Sequence, residues 1–319
     1  MRRTRRTVPY TFLMPYLVLF VTFLLLPLIY AVYVSLFQGR AGVNMFVGLR
    51  NYTTAFGDSE FWSGVKRVLV YAVGQVIVTV GFSLSLALLL DSPWVKLKSL
   101  FRLVYFLPYA VPAVIGAIMW GFLFSPQLDP FYRDLGGSSL GLLTANHLLY
   151  GVLIIVTWEL AGYNMTIYYA NLTSIPLDLY DAGKIDGCSE WKLAMRIKVP
   201  LIKRAIMLTA VLSIIWSLQL FNEPMVLSTM ASLPPSFTPN MFVYNMEFSY
   251  GNDNYAATLS VILILITLAV TLVFILFSSG LASRARGGHR ARTERRRSLS
   301  AAPTMAARST SYEGAEGTK

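Results

Sequence analysis

The sequence predicts an all-α polytopic membrane protein with six transmembrane helices. Three observations carry this. Hydrophobic residues make up 55% of the 319 residues and charged ones only 13%, too little charge to cover a soluble surface of that size. The apolar residues fall into blocks of about 20 or more, the length a helix needs to cross a hydrocarbon core of about 30 Å. The basic residues collect before the first block, after the last, and in alternate connections between them.

The first block, 10–37, follows four arginines (Arg2, Arg3, Arg5, Arg6). Its apolar core is longer than that of a signal peptide and no small-residue cleavage box follows, so it reads as a retained span with a cytoplasmic start. A polar outer segment, 38–63, carries Phe46, Tyr52, Phe61 and Trp62, aromatics suited to a membrane interface. The second span covers 65–90, and a short basic loop with Lys96, Lys98 and Arg102 leads to the third, 103–124. Pro108 and Pro112 remove backbone donors there and predict a kink. An outer loop, 125–146, precedes the fourth span, 148–172. A charged insertion, 174–204, separates it from the fifth, 201–227, in which Pro224 is expected to interrupt the helix. The sixth covers 255–281 after an outer loop, 228–254, without Lys or Arg.

Charge supports this order. The N-terminal tail holds four basic residues, the second-to-third connection three, the insertion six and the C-terminal tail nine, against five elsewhere. An even number of spans places both termini on the same, cytoplasmic side, as the positive-inside rule requires. The domains are therefore a basic tail at 1–9, a six-span membrane domain at 10–282 and a tail at 283–319, whose composition predicts disorder. The net charge of +11 is thus a topology signal and not a nucleic-acid surface. A single cysteine excludes an intramolecular disulfide, and two histidines far apart form no metal-ligand cluster.

The insertion has its own order. Pro176 suits the first turn of a helix, where a missing donor costs nothing, and Asp178 and Asp181 complement the positive end of the helix dipole. Leu179, Ala182 and Gly183 share one face, small enough for a partner backbone to approach. Gly187 supplies a turn residue with φ > 0. Ser189 caps a second run in which Lys192, Arg196 and Lys198 lie toward the negative end, and Val199 before Pro200 should stop it. The insertion is read as a docking elbow; the alternative is a basic loop lying on anionic lipid. Gly187 to Lys192 lacks the glycine and hydroxyl of a phosphate loop, so any ATP must be bound by another chain. No catalytic constellation is visible.

Charged and amide side chains within spans are functional candidates. Glu159 lies near the middle of the fourth span beside Trp158, with Tyr163 and Asn164 following. Gln219, Asn222 and Glu223 fall in the fifth. Aromatic faces with amides and carboxylates suit sugars, whose CH faces stack and whose hydroxyls hydrogen-bond. Gln75 in the second span reads as a packing hydrogen bond.

The run DAGKIDGCSEWKLAMRIKVP resembles the cytoplasmic "EAA" loop of the membrane subunits of bacterial ABC importers. Asp181, Ala182 and Gly183 stand for E-A-A, Asp186, Gly187 and Cys188 for D-G-A, and Ile197, Val199 and Pro200 complete the spacing. Phe46-Val47-Gly48-Leu49-Arg50-Asn51-Tyr52 is similar to the F-x-G-L-x-N-Y segment of the carbohydrate-type, maltose- and glycerol-3-phosphate-permease-like subfamily. Phe106-Leu107-Pro108, Ser174-Ile175-Pro176, Phe221-Asn222-Glu223 and Tyr255-Ala256-Ala257 resemble it too. The resemblance implies a type I importer permease fold with a coupling-helix loop, in a bacterial cell membrane. It implies a second homologous permease subunit, two ATP-binding cassette subunits that bind ATP and magnesium, and an extracytoplasmic solute-binding protein. Asp181, Ala182, Gly183, Asp186, Gly187, Ile197 and Pro200 are the expected ATPase-coupling residues. The expected function is import of a sugar or oligosaccharide. The alternatives are import of glycerol phosphate or another polyol derivative and, from a different class, a membrane glycosyltransferase, which would need an acidic or metal-binding interfacial cluster.

Overall fold

Apolar helices long enough to cross a bilayer set the architecture, as the block lengths predict. The computed structural model describes residues 4–40, 43–125 and 141–300. Five candidate spans are Phe12–Ser35, Ser59–Asp91, Leu148–Thr173, Lys203–Leu227 and Asp253–Leu276. A bent pair, Lys98–Ala110 and Ala113–Leu123, with 96° between its halves, makes a sixth where the two are taken as one span.

That angle is larger than a proline kink. Pro108 sits in the tight turn Leu107–Ala110, and Pro112 takes the position before the next helix with extended backbone (φ −57°, ψ 134°). The two prolines therefore break the span in two where the sequence predicts one kinked helix. The first half crosses the fourth span at Gly162, where an added Cβ would run into the backbone carbonyl of Tyr105.

The polar segment after the first span is structured. Phe37–Arg40 and Val43–Phe46 pair antiparallel, Phe37 opposite Phe46, and a short helix, Arg50–Phe56, follows. The second span starts at Ser59, earlier than its apolar core suggests, because Asp58 caps it by accepting from the backbone N–H groups of Glu60 (3.0 Å) and Phe61 (3.2 Å).

Two of the sequence segments acquire a physical reason at this hairpin end. Asn51 Nδ2 donates to the carbonyls of Ser35 (2.9 Å) and Phe37 (2.7 Å), and the Tyr52 hydroxyl lies 2.6 Å from Ser35 Oγ. Tyr255 donates to Asp58 Oδ2 at 2.7 Å. Beside it, Asn254 accepts from Gly39 N–H (2.8 Å) and donates to the Val34 carbonyl (3.0 Å). The first span is therefore tied to the bundle by its hairpin end, while none of its most apolar window is buried.

The second, fourth and fifth spans build the core. At the opposite, elbow end Ala87 and Leu90 pack with Met165, Tyr168, Leu172 and Ile202, and the Tyr168 hydroxyl bonds Thr209. The chain divides into the units Met1–Thr271 and Leu272–Lys319. The last helix is Asp253–Ser300, so 283–300 is helical where composition predicts disorder, consistent with the high helix propensity of its alanines and arginines. Residues 301–319 lie outside the described residues.

Candidate functional site

The fifth span is discontinuous. Its helix Lys203–Leu218 ends at Gln219, whose N–H reaches the carbonyls of Ile215 and Trp216, and resumes as Asn222–Leu227 after Phe221 leaves helical geometry (φ −145°, ψ −54°). The break precedes Pro224, which was expected to cause it. Pro224 is instead the third residue of the new helix, where its missing N–H would have no intrahelical acceptor anyway.

This break opens a cavity of about 250 Å³ inside the bundle. Tyr71 and Gln75 from the second span, Glu159 from the fourth, and Ser213, Trp216 and Ser217 from the fifth line it, together with Gln219, Phe221, Asn222 and Glu223 at the break. Four of the residues singled out in the sequence, Glu159, Gln219, Asn222 and Glu223, thus converge on one space. Trp158, Tyr163 and Asn164 do not. Trp158 packs edge-on against Trp120 at 5.8 Å, Tyr163 stacks on Tyr109 at 4.6 Å, and Asn164 is buried with its Nδ2 unpaired.

The cavity wall is acidic and polar. Glu159 and Glu223 are 8% and 9% exposed, and no Lys or Arg lines the space. Glu159 Oε1 and Ser213 Oγ are buried without a hydrogen-bond partner, an arrangement that costs stability. Gln75 is held in a chain: Tyr71 donates to its Oε1 (2.9 Å), its Nε2 donates to Thr79 Oγ1 (2.5 Å), and Thr79 meets Thr157 at 3.1 Å. This agrees with the packing role read for Gln75 and adds a place in the wall. A wider groove of about 1270 Å³ shares Gln219 and Phe221 with the cavity and carries Tyr30, Tyr33, Tyr244 and Glu247. The three tyrosines carry no polar anomaly of the kind that picks out Glu159, and Glu247 falls in 228–254, which reads as an outer loop.

The elbow folds as two joined helical pieces. Leu177–Ile185 begins one residue after Pro176, which takes the capping position and not the first turn. Gly187 turns the chain at φ 75°. Ser189 caps the second piece by accepting from Lys192 N–H at 3.4 Å. That piece does not stop at Val199. A wide i→i+5 turn, Ala194–Lys198, leads into Val199–Leu201, and helical backbone runs past Pro200 to a bend at Ile202. Pro200 falls in the first turn of that last segment, where it needs no donor.

Gly183 does not offer its face to a partner. It is buried, and an added Cβ would meet Leu193 Cδ1 at 2.8 Å and Ile197 Cδ1 at 2.9 Å; its small size joins the two halves of the elbow. Asp181, Ala182, Asp186, Gly187 and Pro200 are exposed, and Ile197 is half-buried. Around them Ile185, Trp191 and Leu177 stand 87%, 71% and 72% exposed. Exposed large apolar side chains thus stand among charged residues of both signs, with Lys184, Lys192 and Arg196 exposed as well.

Sequence reading missed the elbow's attachment. Lys198 Nζ lies 2.5 Å from Asp91 Oδ2, at the end of the second span. Tyr180 places its ring 4.9 Å from that ammonium and donates to the Leu172 carbonyl at 3.3 Å. Burial, and then Asp91, push the Tyr180 hydroxyl up to about 12.

A family model described as the inner membrane component of binding-protein-dependent transport systems matches residues 77–287, a stretch that includes the elbow and every cavity-lining residue named above except Tyr71 and Gln75. The chain belongs to this family. It is a permease subunit of an ABC importer, located in the inner membrane, and not itself an enzyme. The lactose transport system permease protein of Rhizobium radiobacter is 31% identical over 264 residues, covering 80% of this chain and 88% of that protein. The arabinooligosaccharides transport system permease protein of Bacillus subtilis is 26% identical over 277 residues, covering 85% and 88%. Among solved structures, a bacterial ABC transporter involved in import of the acidic polysaccharide alginate superposes with a TM-score of 0.73 at 19% identity, covering 86% of this chain and 96% of that one. This permease therefore has the importer fold along nearly its whole length.

Proposed function

We propose that this permease translocates a sugar or oligosaccharide, with Glu159, Gln219, Asn222 and Glu223 contacting the solute and the elbow 174–204 docking a separate ATPase subunit. The observation that carries the reading is the cavity at the broken fifth span. Hydrogen-bonding groups and the aromatic rings of Tyr71, Trp216 and Phe221 meet there without a basic residue. Hydroxyls need acceptors and donors, and pyranose CH faces need rings. A wall with two acids and no Lys or Arg offers an anion no counter-charge, so the anionic cargo of the structural neighbour is not carried over, nor is glycerol phosphate. The lactose and arabinooligosaccharide permeases support a neutral saccharide.

The assembly has a second homologous permease subunit, two ATPase subunits and an extracytoplasmic solute-binding protein, with both termini of this chain cytoplasmic. The exposed Ile185 and Trp191, with Asp181 and Asp186 beside them, support docking by the elbow. One experiment tests both parts. The complex, reconstituted in proteoliposomes with its binding protein, is offered labelled neutral and anionic oligosaccharides, and ATPase recovery is measured by affinity purification through this subunit. Neutral oligosaccharides should be taken up, and Asp181→Lys or Gly187→Val should lower ATPase recovery. Uptake of uronates in preference, or unchanged recovery in both variants, would overturn the corresponding part.

A further inference from the structure

Lys198 and Asp91 are 107 residues apart in sequence, and their side chains are 8% and 12% exposed. The pair joins the last residue of the second span to the wide turn Ala194–Lys198 in the second half of the elbow. Tyr180, on the first half, covers the ammonium with its ring and holds the fourth span's end through the Leu172 carbonyl. Lys98 Nζ adds a bond to the Asp91 carbonyl at 3.3 Å. Four segments of the chain therefore meet at one buried charge pair.

A buried ion pair is a poor source of net stability. Its desolvation cost offsets most of the Coulombic gain, and two well-packed apolar side chains often do as well. What such a pair supplies is a fixed and directional connection. The elbow and the second span also share the apolar cluster that holds Leu90 and Ile202, but apolar contacts slide more readily than a charge-assisted bond.

We infer that Asp91, Lys198 and Tyr180 form a latch that makes the elbow move as one body with the second span. The inference rests on the docking role proposed for the elbow. All three are positioning residues: they touch neither solute nor nucleotide, and they act by setting how far a displacement of the elbow reaches Tyr71 and Gln75 in the cavity wall, on the same continuous helix as Asp91. With the latch closed, ATP-driven motion of the docked subunit moves that wall. With it open, the elbow swivels and hydrolysis proceeds without transport.

The test uses the whole reconstituted importer. Asp91→Asn and Lys198→Met leave one buried partner alone, and their lowered stability alone could reduce uptake. The double variant Asp91→Leu/Lys198→Met removes both charges and is the deciding one. It should recover the wild-type melting temperature and ATPase recovery, yet transport about tenfold less solute per ATP hydrolysed, a size typical of residues that carry coupling. Tyr180→Phe, which keeps the ring over Lys198, should stay within about twofold of wild type, whereas Tyr180→Ala should resemble the double variant. A double variant with wild-type transport per ATP and bound ATPase would overturn the latch and leave the docking proposal standing. Loss of ATPase recovery in the double variant would also overturn it, since the pair would then shape the docking surface itself. Failure of docking is read separately, from Asp181→Lys and Gly187→Val.

Discussion

Gly183 of the first elbow helix faces Leu193 of the second so closely that a Cβ would lie 2.8 Å from Leu193 Cδ1. The atoms in the way are the ends of flexible side chains. Gly183→Ala should therefore be accommodated: a gain of about 1 kcal/mol in helix propensity is offset by a shift of a few tenths of an ångström. Gly183→Leu has no such outlet and should separate the two halves. Transport activity and ATPase recovery of the two variants should differ sharply, with the alanine variant close to wild type.

Gly162 presents the opposite case. Its obstacle is the Tyr105 carbonyl, a backbone atom of a crossing helix. Gly162→Ala must push that helix away and should cost about 1–3 kcal/mol. A lowered melting temperature in detergent, measured beside Gly183→Ala, checks this.

Glu159 combines burial with an unpaired Oε1. Replacing a buried carboxyl whose Oε1 has no partner by its amide should leave stability unchanged or raise it, at the expense of function. For Glu159→Gln we expect a melting temperature no lower than wild type and neutral-sugar uptake reduced about tenfold, equivalent to about 1.4 kcal/mol. A destabilised variant with normal uptake would make Glu159 a packing residue.

Asn51 donates to two backbone carbonyls, of Ser35 and Phe37. Asn51→Ala removes both bonds, leaving the Ser35 carbonyl the Thr258 hydroxyl at 3.2 Å, and should cost about 1–3 kcal/mol. Faster hydrogen exchange at 35–40, with unchanged exchange in the elbow, is the expected signature.

Much of this fold is written locally. Apolar block length gives the spans, and the elbow's turn and cap follow from Gly187 and Ser189, whose roles depend only on near neighbours. Other features depend on partners that sequence separation hides. Lys198 is legible as a charge toward the negative end of its helix, but nothing in the sequence points from it to Asp91, 107 residues away. Gly183 was legible as small but not as inward-facing, because its orientation is set by Leu193 across the turn. The cavity was half legible. Glu159 and Glu223 stand out as acids in apolar runs, whereas Ser213 and Tyr71 do not, and Pro224 drew attention to a break that Phe221 makes. Asn51 and Tyr52 fall within the sequence segment that resembles the family, but only the distances show that they hold backbone.

The lacing at the hairpin end also sets an order of events during biogenesis. Asn254, which clasps Val34 from 220 positions away, leaves the ribosome roughly 10–40 s after it at bacterial elongation rates. For that interval the first span sits in the bilayer with its clasp missing. Inserted ahead of the other described spans and secured only once Asn254 has emerged, it would stay unclasped in a chain stalled before that point.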